Sequence, residues 1–495
     1  MNKHAGIAAS ALLLSGCAVG PDYRPSTPNA LGVPAAYAPP VTAAPASAAP
    51  SPTGDLSTWW RQFDDPMLSD LIARATASNL QIAQSVARLA QAREARVQAR
   101  GDLLPTLSGS AGATRNFTHG GSSSIVVGGN PDGTGGTVVT TGGNSGSTQL
   151  SLGLDASWQA DIFGGLTRSL QAARADEAAA WFDLAGVRIS IAGEVATNYI
   201  DARLAQARLE VARSTLRTQD DNLQIAGWRV QAGLVSGLDA EQARAQRAQT
   251  AASIPGLETA YLQAVNRLGV LTGQAPGALR TEMEDVRPIP HGPDAIAVGI
   301  PADTLRNRPD VRSAERQLAA ATARIGVAKA ALFPALSITG NINTAAARLG
   351  NLGDVLTGGL FAGLTQAIFD AGRHGSQVRA ARAGADLAFA AYRQTVLTGL
   401  EDVENAIQSL QAAKARQAEL AIALDAANNA AIYSRSQYRS GLIDFLTLLQ
   451  SEQALLSARD QLASAQADQA LALVQLYLAL GGGWQPEPIN PGTAP

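Results

Sequence analysis

Apolar residues recur every seven positions in the last long segment of the chain. They form two adjoining columns: Leu448, Leu455, Leu462 and Leu476 in one, and Leu449, Leu456, Ala463, Ala470 and Tyr477 in the other. Heptad spacing is typical of coiled-coil helices, and two stripes indicate contact with two neighbouring helices. Helical periodicity also persists for about sixty residues from Arg168 to about Gln224, and again from Arg373 to about Arg435. Helices of that length would reach ~90 Å, too long for one compact domain.

Alternation of apolar and polar residues at every second position predicts β-strands. It runs from Leu150 to Trp158, from Leu336 to Ile342 and, more weakly, from Leu356 to Leu364. A fourth strand is expected before the Gly/Ser/Thr-rich stretch 120–147, which the composition predicts to be an enlarged loop between two strands. Strands of about ten residues match the thickness of a bilayer.

Two halves of the chain match each other in sequence. Ala232-Gly233-Leu234-Val235 corresponds to Ser440-Gly441-Leu442-Ile443, and Leu104-Pro105-Thr106-Leu107-Ser108 corresponds to Phe333-Pro334-Ala335-Leu336-Ser337. Each half is expected to run helix, strand, loop, strand, long helix, turn, helix. We therefore divide the chain into a first repeat at 59–273, a connector at 274–302, a second repeat at 303–484 and a C-terminal tail at 485–495.

The amino terminus has the pattern of a short secretory signal. Lys3 precedes an apolar stretch from Ala5 to Leu14, which ends in Leu14-Ser15-Gly16-Cys17 with small residues at the cleavage point. We interpret residues 1–16 as a lipoprotein signal peptide and residues 17–58, rich in Pro, Ala, Ser and Thr, as an acylated cysteine and an extended or flexible tether. The alternative makes Cys17 an ordinary small residue of a removed signal.

Composition narrows the classes of function. Net charge is −3, and only 16% of residues are charged, so nothing indicates a basic surface for nucleic acid. The single cysteine, Cys17, excludes a disulfide within the chain and a cysteine metal cluster. The four histidines lie in no zinc-protease motif, and no phosphate loop or nucleophile elbow is present. The sequence therefore predicts no enzyme, no cofactor and no bound metal.

Four bilayer-length strands are too few to close a barrel. Bacterial single-chain barrels start at about eight strands, and an open sheet edge cannot face lipid. Two copies would give eight strands and a filled interior, whereas three would give twelve and leave room for a pore. The alternative is a small soluble β-domain, such as those that separate coiled coils in periplasmic pump adaptors.

Several runs, in their order and spacing, resemble the outer-membrane efflux lipoproteins of the OprM and TolC type, from the signal nearly to Trp484. These runs are Trp59-Trp60 with Phe63 and Asp65-Pro66, Arg308 to Glu315, Ala330 to Pro334, Ile368 to Arg373, Tyr438 to Gly441, and Ala479 to Trp484. The resemblance implies a mixed α and β fold of two tandem repeats, with a long α-helical coiled-coil barrel. It also implies four transmembrane β-strands per chain, which make a twelve-stranded barrel in a homotrimer.

The resemblance further implies the exit duct of a tripartite efflux pump in the outer membrane, anchored by acyl chains on Cys17. Its partners would be a periplasmic membrane-fusion adaptor, an inner-membrane pump of the RND type and outer-membrane lipid, and it would conduct small molecules passively. The alternative function is a lipid-anchored periplasmic coiled-coil scaffold or adaptor without channel activity.

Two sets of candidate site residues follow from the resemblance. The tips of the helical hairpins would contact the adaptor through Gly233, Leu234, Val235, Gly441, Leu442 and Ile443. The glycines could instead serve only the reversal of direction. The periplasmic gate would be formed by Tyr438, Leu446, Gln450 and Asp444. Gln450 departs from the acidic residue often found there, although its amide can still bond across the axis. Asp444 and Glu452 are nearby acids that could substitute for it, although acids at helix termini or on helix surfaces are more often simply solvated.

Overall fold

The computed structural model describes residues 18–34, 56–118, 123–126, 138–141, 145–293 and 305–484. The predicted signal peptide, Cys17, most of the tether, part of the connector and the tail lie outside these ranges. The chain divides into two compact units. The first unit comprises Met1–Tyr23, Glu94–Arg174 and Ala319–Ala385, and the second comprises Arg24–Arg93, Ala175–Leu318 and Asp386–Pro495.

The first unit contains a four-stranded antiparallel sheet. Its strands are β1 (Thr106–Thr118), β4 (Ser145–Ala160), β5 (Ala335–Ala346) and β6 (Leu356–Thr365), in the spatial order β1-β4-β5-β6. The central pairing joins the two halves of the chain, with Leu154 opposite Ile342. The four strands lie where alternation and the repeat predict them, and β1 and β6 are the two edges of this sheet.

A two-stranded ribbon lies within the Gly-rich stretch 120–147. It consists of β2 (Ser123–Val126) and β3 (Val138–Thr141), paired antiparallel with Ile125 opposite Val139. The predicted enlarged loop between two strands thus contains a short ribbon that the sequence analysis did not predict, and β4 begins at Ser145, inside the predicted range. The paired segments are short and rich in β-branched residues, which favour strands.

Seven helices of more than ten residues occur in the described ranges. They are α1 (Pro66–Ser78), α2 (Leu80–Gly101), α3 (Gly165–Gln231), α4 (Gly237–Leu271), α5 (Pro309–Ala330), α6 (Arg373–Arg439) and α7 (Phe445–Ala479). Helices α3 and α6 each have 67 residues, a length of ~100 Å at the usual rise, as the sequence predicts. Short helical turns lie at Pro28–Leu31, Leu56–Phe63, Arg280–Met283 and Leu349–Asn351. None of the helices that the structure describes is both long enough and apolar enough to cross a bilayer.

Trp59 and Phe63, which belong to the first run that carries the family resemblance, lie in the hydrophobic core of the second unit. Trp59 is fully buried and stacks on Tyr477 with ring centroids 5.3 Å apart, while Phe63 packs edge-on against it. The Tyr477 hydroxyl donates to Gln62 Oε1 at 2.6 Å. These contacts attach the segment before α1 to the end of α7, so these two segments share one core.

Asp65 begins α1 and also holds α3. Its carboxylate accepts the backbone N–H groups of Met67 and Leu68 at 2.9 and 3.1 Å, the capping geometry that satisfies amides at a helix start. Its other oxygen accepts the Tyr199 hydroxyl at 2.7 Å. Pro66 occupies the first helical position, where proline loses no hydrogen bond. The Asp65-Pro66 pair is therefore a structural motif.

Burial raises the pKa of Tyr477 to about 12. An unfolded tyrosine ionises near pH 10, so above that pH the unfolded chain loses a proton that the folded protein keeps. We expect the free energy of unfolding to fall as pH rises from about 10 to about 12. In Tyr477→Phe we expect a loss of about 1 kcal/mol at pH 7, from the missing hydrogen bond, and a weaker alkaline decline.

Denaturant unfolding of detergent-extracted protein, followed by tryptophan fluorescence between pH 7 and 11, measures both effects. Tyr433→Phe, at an exposed ring, is the matched control and should change neither quantity. An alkaline decline that is identical in Tyr477→Phe and the parent protein would contradict the assignment to Tyr477.

Candidate functional site

The first helical hairpin turns at Gly233. Helix α3 ends at Gln231, and Gly233 has a φ of 70°, in the left-handed region that costs glycine little. Its N–H donates to Val230 O at 3.0 Å, and the Leu234 N–H donates to Arg229 O at 2.9 Å, which together satisfy the last carbonyls of α3 as in a Schellman motif. Ser236 then caps α4 through its side chain. The turn presents Leu234 to solvent.

The second hairpin repeats this geometry at Gly441. Its φ is 72°, its N–H donates to Tyr438 O at 3.0 Å, and the Leu442 N–H donates to Gln437 O at 2.9 Å. Leu442 is exposed, as Leu234 is at the first tip. Both glycines are therefore required by the turn itself, and the adjoining leucines are the apolar side chains that each tip offers to a partner.

Val235 and Ile443 follow the exposed leucines and are partly buried. Ile443 packs against a small core of Ala226, Ala243, Tyr438, Phe445 and Leu448. Of the six predicted tip residues, the two leucines are thus the most accessible apolar groups, and Ile443 also helps to hold the second tip together.

Tyr438 lies inside the chain's own core. Its side chain is 3% exposed and its ring meets Phe445 edge-on at 5.7 Å. The guanidinium of Arg229 sits 4.6 Å from the ring centroid, a cation–π contact between α6 and the end of α3. The hydroxyl is buried and has no hydrogen-bond partner among the described residues. Tyr438 therefore supports the tip from within, and its gate role stays a prediction.

The other three predicted gate residues are exposed on the chain. Leu446 and Gln450 lie on the first turns of α7 with accessible side chains. Asp444 is the N-cap of α7, and its carboxylate accepts the Thr447 N–H at 2.9 Å. Hydrogen bonds from Thr447 lower the pKa of Asp444. The acid is thus engaged in starting the helix, while Leu446 and Gln450 remain available to meet groups outside the chain.

Sequence reasoning missed an ion pair beside the second tip. From the sequence, Glu452 was either a substitute acid for the gate or a solvated surface acid. In the structure it is buried and pairs with Arg435 across α6 and α7. Arg435 Nη2 donates to Glu452 Oε2 at 2.8 Å, and its Nε makes a second, short bond to Oε1. These hydrogen bonds raise the pKa of Arg435. Ser434 and Ser451 add a hydroxyl contact of 2.8 Å next to the pair.

The segment after Cys17 is fixed against the first unit. Val19 N–H donates to Phe163 O at 3.1 Å, and buried Arg168 pairs with Asp22 at 2.7 Å. Gly326 leaves the space through which Val19 and Arg168 pass, since a Cβ there would meet both within 3 Å. Residues 18–22 are therefore held in place, and the prediction of an extended or flexible tether stays a prediction for the part of 17–58 that the structure does not describe. Cys17 itself lies outside the described residues.

The run that begins at Arg308 is also structural. Arg308 is largely buried and donates to Asp310 at 2.7 Å, Asp402 at 3.0 Å and Ala479 O at 3.1 Å. Burial by itself lowers the pKa of Arg308, but the two carboxylates outweigh it and raise that pKa overall. Within the described ranges, no three His, Cys, Asp or Glu side chains converge as metal ligands would.

Comparison with known proteins identifies relatives across nearly the whole chain. A family model described as "Outer membrane efflux protein" matches residues 71–274 and 300–482. "Nodulation protein T" of Rhizobium leguminosarum bv. viciae is 30% identical over 479 residues, covering 96% of this chain and 92% of that protein. "Toluene efflux pump outer membrane protein TtgF" of Pseudomonas putida is 31% identical over 511 residues, covering 100% of both.

A solved structure described as the outer-membrane channel OprN superimposes with a TM-score of 0.82. It is 35% identical and covers 95% of this chain and 100% of its own. The same arrangement of sheet and long helices is therefore present in a protein described as a channel.

Removing the guanidinium of Arg435 should loosen the second tip. In Arg435→Ala the buried Glu452 carboxylate loses its partner, and we expect a cost of about 1–3 kcal/mol, below that of a fully buried pair because Arg435 is one-third exposed. Amide hydrogen exchange in 434–452 should accelerate about tenfold or more.

The matched control is Arg416→Ala. Arg416 pairs with Asp468 across the same two helices at 2.9 Å, but both side chains are about half exposed, so the expected cost is below about 1 kcal/mol. Equal acceleration of hydrogen exchange around the two mutated pairs would show that burial of Glu452 does not make the Arg435 pair more stabilising than the exposed Arg416 pair.

Proposed function

This chain belongs to the outer membrane efflux protein family and is the outer-membrane channel of an efflux pump, and we propose that it works as a lipid-anchored homotrimer with a gated inner end. Proteins of this family are channels rather than enzymes, and the chain is not an enzyme. They act together with an adaptor and an inner-membrane pump. The exit-duct role is favoured over the scaffold because relatives aligned along the full chain are named as outer-membrane proteins of efflux pumps.

The single observation that carries the trimer is the four-stranded sheet with two edges. Within the described residues, β1 and β6 each pair on one side only. In a bilayer every unpaired backbone N–H and C=O costs several kcal/mol, so such a sheet must close with other copies. Three copies give a twelve-stranded barrel, wide enough for an aqueous path, whereas two give a barrel largely filled by side chains.

The inner end of the duct is closed by residues at the start of α7. Leu446 and Gln450 are exposed on the chain and meet their counterparts around the trimer axis, where an apolar ring and amide hydrogen bonds block the path. Tyr438 and the Arg435–Glu452 pair hold α6 and α7 together behind them. Asp444 fixes the start of α7 and hence the height of the ring.

The two hairpin tips are the docking sites for the periplasmic adaptor. Leu234 and Leu442 are exposed apolar side chains on turns of the same geometry, and burying each of them against a partner would contribute roughly 1.5–3 kcal/mol. Adaptor binding separates the tips and opens the gate. The duct itself conducts small molecules passively, and the upstream pump of the RND type supplies the energy.

Cys17 carries the lipid anchor. Two observations support this proposal. The signal pattern precedes Cys17, and Arg168 fixes the residues that follow it through its contacts with Gly20 O and Asp22. Two or more acyl chains give stable attachment to a bilayer, whereas one gives only marginal binding.

Opening the gate should raise conductance. The measurement combines the oligomeric mass of detergent-extracted mature protein with single-channel recording in a planar bilayer. We expect a conducting trimer, and a higher conductance when Leu446 and Gln450 are both replaced by alanine, because the apolar ring and its amide bonds are removed.

The control is Leu238→Ala. Leu238 is the second residue of α4 as Leu446 is the second residue of α7, and it is also exposed. Conductance should not change in this variant. A non-conducting monomer would contradict the duct and favour the scaffold, and equal effects at Leu238 and Leu446 would contradict the placement of the gate on α7.

Acylation should depend entirely on Cys17. In Cys17→Ala we expect no incorporation of labelled palmitate and no cleavage of the signal as a lipoprotein, since the chain has no second cysteine. Gel fluorography and mass spectrometry of the mature amino terminus measure both. Undiminished label in Cys17→Ala would rule out this anchor.

A further inference from the structure

Two apolar residues between β6 and α6 are almost completely exposed. Ile368 is 99% and Phe369 is 90% accessible, at the point where the chain leaves the sheet and before α6 begins at Arg373. Exposure of an isoleucine and a phenylalanine side by side is unfavourable in water, because burial of either side chain lowers the free energy. The pair is therefore expected to have a partner outside this chain.

The junction between β4 and α3, in the first half of the chain, corresponds to the junction between β6 and α6. There the phenylalanine has a partner within the chain. Residues around β4 and β6 match in sequence: Leu150 with Leu356, Leu154 with Leu360, Ala156 with Ala362, Ile162 with Ile368 and Phe163 with Phe369. Phe163 stacks on Phe333 with ring centroids 4.8 Å apart and an angle of 16° between the planes. The neighbouring Ile162 is 46% exposed, half as much as Ile368.

Phe333 has a counterpart of its own. It stands immediately before Pro334 and β5, and Leu104 stands in the same way before Pro105 and β1. Leu104 is 61% exposed. In the described chain, β4 and β5 are paired neighbours, whereas their counterparts β6 and β1 are the two edges of the sheet. If β6 and β1 pair as their counterparts β4 and β5 do, then β6 of one copy must pair with β1 of another copy.

The proposed trimer already pairs β6 of one copy with β1 of the next. We propose that this pairing takes the register of β4 and β5, and that Ile368 and Phe369 of one copy therefore pack on Leu104 of the next. Leu154 opposite Ile342 and Trp158 opposite Ile338 transfer to Leu360 opposite Ala113 and Leu364 opposite Gly109. This inference rests on the proposed trimer and specifies the contact that joins its subunits.

A second copy fits this site better than lipid does. Phe163 occupies the same strand-to-helix junction and packs on protein. The edge strands β1 and β6 carry backbone groups that lipid cannot satisfy and that an antiparallel strand can. The exposed ring of Phe369 then lies over the start of the partner's β1, as Phe163 lies over the start of β5.

Cysteine pairs and a short thiol-to-thiol cross-linker test the contact in the full-length protein in outer membranes. Phe369→Cys combined with Leu104→Cys should give covalent dimers and trimers on a denaturing gel. Phe163→Cys with Phe333→Cys is the matched in-chain control, which should cross-link within one chain only. A second control combines Phe369→Cys with Phe117→Cys, which lies at the far end of β1, and should remain monomeric on the denaturing gel. Each single variant, which still has Cys17, should remain monomeric as well.

The contribution of the ring is tested separately by subunit dissociation in detergent. Phe369→Ala should dissociate about tenfold faster or more, as expected for an interface anchor, and Phe369→Leu should restore most of the lifetime. These variants change no residue assigned to the gate or to the tips.

The outcomes separate this inference from the proposed function. A conducting trimer in which Phe369→Cys and Leu104→Cys do not cross-link, or in which the thiol introduced by Phe369→Cys reacts with a lipid-soluble maleimide instead, overturns the contact and leaves the duct intact. A protein that forms no oligomer and does not conduct overturns both. Cross-linking with equal yield at Phe117→Cys overturns the register.

Discussion

A strand at the edge of a sheet carries backbone amide and carbonyl groups without partners, and a bilayer offers no water to satisfy them. The sheet of this chain has two such edges, β1 and β6, among its described strands. Closure of those edges requires other copies, and the number of copies sets the width of any pore. The proposed trimer and the Phe369 contact are consequences of this constraint on the backbone, and the side chains decide the register.

The two hairpin tips show how local chemistry can be repeated while the surroundings differ. Gly233 and Gly441 end α3 and α6 with the same positive φ and the same pair of backbone hydrogen bonds. The second tip adds the Tyr438–Phe445 contact and the buried Arg435–Glu452 pair. Equal turns with unequal support are suited to a channel in which both hairpins meet a partner and one of them also closes the path.

Much of the fold and less of the site could be predicted. Heptads indicated α7, alternation indicated three of the strands of the sheet, and the repeat placed the turns at Gly233 and Gly441. The ribbon β2–β3 was taken for a loop because its paired segments have only four residues each, too few for a clear alternation. The Arg435–Glu452 ion pair was missed, because its two residues lie on different helices and nothing in the sequence near Glu452 identifies Arg435 as its partner.

Features that depend on neighbours along the chain could be derived from the sequence alone: the long helices, the glycine turns and the strand pattern. These are set by φ/ψ preferences and by side-chain periods of 2 and 3.6 residues. Only the three-dimensional structure shows that Phe163 stacks on Phe333 and that Arg168 fixes residues 18–22. The same is true of the nearly complete exposure of Phe369. Such contacts join residues distant in sequence, so their energies depend on a distance and a burial that the fold alone creates.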